Sequence, residues 1–218
     1  MKHEDFLRAL GSPVPSVLLK KYPNGNIYQL WGESPELYAN AFGHHDDLHK
    51  YLGGHSGIDI IGAHRTPICA AHDGYISTIK TDRVSLGGLI IWVTSPVLDL
   101  GSGNSCVTTA YGHLDEIIVS QGQNVRKGDV IGYMGNTGFV VSGGVPYWGN
   151  APAGKGTHLH FGLYEFTVTN GVLSPRWNNV MQNSTDPLPY LTGDLSGLIG
   201  ILKQMVAYIA KLSGNISK

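Results

Sequence analysis

Charge is scarce in this 218-residue chain: Asp, Glu, Lys and Arg make up 14% of it, and 15 basic residues nearly cancel 16 acidic ones. No polybasic stripe remains to grip a nucleic-acid backbone or an anionic bilayer. Long apolar runs are missing too. No stretch reaches the ~20 residues a membrane span requires. The opening Met1 to Arg8 lacks the apolar block of a signal peptide, so the expectation is export by another route. Cysteine is nearly absent: Cys69 and Cys106 are the 2 present. Both sit in apolar text without Cys-x-x-Cys or Cys/His spacing, so two buried free thiols are expected rather than a disulfide or a thiolate metal site.

Glycine is plentiful instead, with 30 residues, about twice its usual ~7% share and without a collagen period. It punctuates short Val/Ile/Thr/Tyr runs, which reads as an all-β fold with many tight turns. The runs are Ile27 to Trp31, Gly57 to Ile61, Pro67 to Ala71, Gly74 to Ile79, Leu89 to Thr94, Cys106 to Leu114, Ile117 to Val119, Asp129 to Tyr133 and Leu159 to Phe166. Strands of this length and spacing predict an open antiparallel sandwich or barrel. Residues 1–25 read as a short helix and a connector broken by Pro13, Pro15 and Pro23. Residues 26–192 form the β domain, long enough to bury a real core.

Two segments depart from that rhythm. Phe139 to Lys155 reads as a long Gly/Pro/aromatic loop, of the functional or mobile kind, directly before a His-x-His. The tail, residues 193–218, spaces Leu195, Leu198, Leu202, Met205, Ile209 and Leu212 by threes and fours. That predicts an amphipathic helix, which docks on its own domain, self-associates or lies on a membrane surface.

Chemistry concentrates in three places: His55-Ser-Gly-Ile-Asp59, Tyr111-Gly-His113-Leu and Thr157-His158-Leu-His160-Phe. On a strand, His158 and His160 project from one face while Leu159 points into the other layer. One imidazole can then hold a metal while its neighbour handles a proton. His55 and Asp59 share parity but would lie roughly 13 Å apart if fully extended. To serve one ion the chain must bend between them, and Gly57 permits that. Two His and one Asp leave a fourth tetrahedral position for water, the mark of a catalytic zinc.

With those motifs in place, the chain resembles the lysostaphin/LytM-type zinc metallopeptidases, the β-rich endopeptidases that cut peptidoglycan peptides. Further pieces of the resemblance are Thr66-Pro-Ile-Cys-Ala-Ala-His-Asp-Gly74, Gly122 to Gly132, Gly135-Asn-Thr-Gly138 and Asp186-Pro187 through Leu191. The resemblance implies Zn2+ held by His55, Asp59 and His160, with His113 and His158 as the catalytic pair. It implies a peptidoglycan peptide substrate met outside the cytoplasm, and no nucleic-acid partner. Two other readings stand beside it: a non-catalytic wall-binding or regulatory module, and a phage-particle or secretion component carrying the peptidase. The segment from Gly138 to Thr157 is longer than the family's usual link and places Tyr147 and Trp148 to wall a groove or to pack structurally. His44, His45, His49, His64 and His72 are expected to be surface or loop residues.

Overall fold

The structure is a computed structural model that describes residues 1–34, 54–101, 103–170, 172–175 and 183–191. His44, His45, His49 and the tail helix expected at 193–218 lie outside the described residues. The single α-helix among them, α1 (His3–Arg8), leads into a proline-broken connector. Strands follow: β1 (Ile27–Gln29), β2 (Ile58–Ile61), β3 (Pro67–Cys69), β4 (Gly74–Lys80), β5 (Leu89–Thr94), β6 (Leu98–Asp99) and β7 (Asn104–Ile117). After these come β8 (Asn124–Val125), β9 (Val130–Met134), β10 (Thr137–Ser142), β11 (Val145–Asn150), β12 (His158–Thr169), β13 (Val172–Pro175) and β14 (Ser184–Thr185). A 3-10 turn at Leu188–Tyr190 ends the described chain.

The main sheet runs β1-β2-β12-β7-β5-β4-β8, with every adjacent pair antiparallel. Its spine is the pairing of β12 with β7, from His160 opposite Gly112 to Val168 opposite Asn104. One face of the spine buries Leu159, Phe161 and Leu163 with Tyr111, Ile91, Val93 and Ile76. Period-2 alternation sends His158, His160, Tyr164 and Phe166 to the opposite face. The all-β, open-barrel expectation holds: β7 continues past β5 to pair with β9, and β9 pairs with β3, so the sheet curls.

Residues 1–25 belong to this core. Phe6, Leu7, Leu10, Val14 and Leu19 are buried in the same cluster as Leu159 and Phe161. Gly11 N–H donates to Ala71 O, and Cys69 N–H to Pro13 O. The segment therefore covers the face turned away from the histidines. Both cysteines are buried free thiols, and burial pushes each thiol up.

Three expectations are corrected. Residues 139–155 are largely a hairpin, with β10 and β11 paired from Thr137–Asn150 to Ser142–Val145 around Gly143 and Gly144 at positive φ. The β-branched and aromatic residues of Phe139-Val-Val141 and Val145-Pro-Tyr-Trp148 carried that strand signal, but the glycines and proline masked it. Ile117 to Val119 is no separate strand, because β7 runs on to Ile117 through a register shift against β9. His72 lies in the bend between β3 and β4, a loop residue, but it is buried at 3% exposure rather than at the surface. Its ring lies edge-on to Phe6, Nε2 is 3.1 Å from Thr109 Oγ1, and Nδ1–H donates to Asp73 O.

Candidate metal centre

The chain bends at Ser56 and Gly57, just ahead of β2, and this brings His55 back over Asp59. Gly57 itself has no positive φ, so backbone freedom is not what requires it. A Cβ there would strike the Phe161 carbonyl oxygen and stand 3.0 Å from His160 Cε1. Close approach of the bend to β12 is the reason for glycine.

His55 Nδ1 lies 3.2 Å from the Leu30 carbonyl oxygen. A carbonyl only accepts, so Nδ1 carries a hydrogen, and Nε2 is the nitrogen turned towards Asp59. That nitrogen is 3.1 Å from Asp59 Oδ1 and 2.9 Å from His160 Nδ1. His160 stands directly opposite Asp59 in the β12–β2 ladder, with Nδ1 3.2 Å from Asp59 Oδ1. The three atoms form a triangle with edges of 2.9 to 3.2 Å. Ligands about 2.0–2.1 Å from a tetrahedral zinc stand roughly 3.3 Å apart, so the triangle has the size one such ion spans. His55, Asp59 and His160 could hold a metal ion.

Electrostatics favour a cation there. Burial pushes the Asp59 carboxyl up, but His55 and His158 nearby, with hydrogen bonds from His160 and His55, hold it well below the usual carboxylate range. Burial likewise pushes His55 down, yet Asp59 outweighs it and leaves the imidazole raised. His160 is lowered, by burial first, against its hydrogen bond to Asp59. A buried carboxylate flanked by imidazoles wants a positive charge, proton or metal.

The other two histidines face the triangle without joining it. His158 Nδ1–H donates to Gly156 O, leaving Nε2 turned inward, 3.7 Å from Asp59 Oδ1. His113 Nδ1–H donates to Thr137 O at 2.7 Å. Strict alternation would put His113 with Tyr111 on the core face. Instead β7 carries an extra residue between its pairings Leu114–Leu89 and Tyr111–Ile91, and His113 takes φ +58. The bulge turns its ring onto the face that carries His158 and His160, with centroids 4.4 Å and 6.3 Å from theirs. Burial, reinforced by His158 and His160, pushes its imidazole down to about 3. It stands neutral, with Nε2 bare.

The chain matches the model of Peptidase family M23 over residues 53–172, more than half its length. The chain belongs to Peptidase family M23. Peptidoglycan DD-endopeptidase ShyC of Vibrio cholerae is 30% identical over 132 residues, covering 59% of this chain and 24% of that protein. DD-carboxypeptidase/endopeptidase Mpg of Neisseria meningitidis is 30% identical over 179 residues, covering 81% and 34%. The chain thus spans about a quarter to a third of these curated relatives. The solved structure of LytU is 25% identical over 78% of this chain and 88% of its own, with a TM-score of 0.46.

All five histidine and aspartate positions fall inside the M23 match, but the turn that holds His55 lies before it. Gly32 N–H donates to His55 O, and His55 N–H to Glu33 O. Glu33 in turn accepts from Leu30 N–H at 2.9 Å and from Lys21 Nζ at 2.6 and 2.7 Å. The sequence reading missed Lys21 and Glu33. No motif marks them, since they reach His55 only through a fold-dependent turn.

Proposed function

We propose that this M23 chain is a zinc-dependent endopeptidase that hydrolyses peptide bonds in bacterial peptidoglycan stem peptides or cross-bridges, outside the cytoplasm. The observation that carries the reading is the juxtaposition of a zinc-sized donor triangle with the imidazoles of His113 and His158, each held through Nδ1 with Nε2 left for chemistry. His55 Nε2, Asp59 Oδ1 and His160 Nδ1 would hold the ion. Bound there, zinc would supply a Lewis acid that polarises the scissile carbonyl and acidifies water.

The rest belongs to the chain's own groups. Thr137 O and Gly156 O pin His113 and His158 by their Nδ1–H, so both rings present Nε2 to the same small volume. Neutral His113 accepts a proton from the attacking water. His158, beside it and facing Asp59, receives that proton across the pair of rings and delivers it to the leaving amine. The named activities of ShyC and Mpg support the substrate class.

Mass spectrometry of muropeptides from purified walls tests this. Cross-linked dimers should convert to monomers, and chelation should stop the conversion. Undiminished conversion by chelated protein, or walls left intact by zinc-loaded protein, would sink the proposal.

A further inference from the structure

The face of the sheet that carries the metal centre continues into a second concavity. Along β12, the residues that share parity with His160 are Gly162, Tyr164 and Phe166, and Thr108 of β7 stands opposite Tyr164. Trp92 and Phe166, with ring centroids 6.5 Å apart, line a cavity of about 330 Å³ together with Tyr75. Its remaining wall is made of the hydroxyl residues Ser77, Thr78, Thr94 and Thr108. Tyr164 stacks on Trp92 at 5.2 Å and 17°, which fixes the indole plane. The Tyr164 hydroxyl meets Ser56 Oγ at 3.1 Å, next to His55.

The chemistry of this wall is selective. None of its seven residues is charged, so it offers no counter-charge to the carboxylates and ammonium of a stem peptide. Aromatic faces that accept C–H surfaces, ringed by hydroxyls that exchange hydrogen bonds, suit a neutral sugar ring. The volume is at the lower end of the usual about 300–1,000 Å³ range, which suits one ring rather than an extended oligomer.

The cavity lies on the same face, farther along β12: from His160 to Phe166 is a step of six strand residues, roughly 20 Å, the reach of an extended peptide of about six residues. We infer that the concavity between Trp92 and Phe166 is a subsite for one N-acetylhexosamine ring of the glycan strand whose stem peptide is cut at the metal centre. This inference rests on the peptidoglycan reading proposed above. The stacked indole is held before the sugar arrives, so little ordering is left for binding to offset.

The test uses zinc-loaded full-length protein and two soluble substrates, a cross-linked peptide dimer with its disaccharides and the same dimer without them. Thr78→Arg fills and charges the cavity without touching the metal centre, and Phe166→Ala removes one aromatic wall. Each variant should lower kcat/KM about tenfold on the disaccharide-bearing dimer and leave the bare peptide dimer unchanged. Equal loss on both substrates, or loss on neither, overturns the subsite.

Calorimetry with N-acetylglucosamine trimer separates this inference from the hydrolase reading. If wild-type protein cuts neither dimer, the hydrolase proposal fails, and the trimer still decides the subsite. Binding weakened about tenfold by Thr78→Arg upholds it. Absence of binding to the wild type overturns it.

Discussion

At Gly57 a single added methyl would meet the Phe161 carbonyl oxygen and crowd His160 Cε1. Gly57→Ala should therefore cost about 1–3 kcal/mol by overpacking and loosen the donor triangle, lowering both melting temperature and zinc affinity. An unchanged zinc affinity would show that the bend tolerates the shift. His72 makes a prediction of opposite origin. Burial pushes its imidazole down from the ordinary 6.5 to about 4, so the unfolded chain takes up the proton first. Stability from this residue is whole above pH 6.5 and is lost progressively as pH falls towards 4, by roughly 3 kcal/mol in all. Urea midpoints of wild type and His72→Asn across that window check the sign: the variant's slope should be shallower, and parallel slopes would contradict it. The sequence shows His72 only as one histidine in the piece Thr66 to Gly74. Its burial depends on Phe6, which arrives from 66 positions away in the sequence and cannot be seen from local pattern.

Elements explain what residues alone do not. The His-x-His of β12 was legible because strand parity fixes which neighbours share a face. His113 was legible only as a member of a resembling motif, since a bulge and a positive φ undo the parity that would have buried it. The β10–β11 hairpin was illegible as strands because its paired glycines look like loop text. A stabilising role hidden in the same way belongs to the turn of residues 30–33. Lys21 clamps Glu33, Glu33 clamps Leu30, and together these backbone groups orient His55. Glu33→Ala should weaken zinc binding about tenfold while leaving the circular dichroism spectrum unchanged. A chelator competition that finds wild-type affinity would remove the turn from the account.

For the whole molecule, composition and strand spacing made the open, curled β fold legible, and the alternation along β12 placed its core face. The role of residues 1–25 was not. Their prolines read as a connector, yet Phe6, Leu7, Leu10, Val14 and Leu19 are buried against the sheet face opposite the histidines. Deleting residues 1–25 should expose that face and yield protein that fails to melt cooperatively. A cooperative transition at the full-length temperature would show the segment to be dispensable.

The central claim is that His55, Asp59 and His160 grip one divalent ion while His113 and His158 leave it alone and move protons. Metal analysis of purified variants tests it most directly. Wild type and His113→Ala should each carry one zinc per chain, with wall hydrolysis lost only in the variant, and His160→Ala should carry almost none. Stoichiometric zinc in His160→Ala, or a metal-free wild type that still cuts walls at full rate, would contradict it.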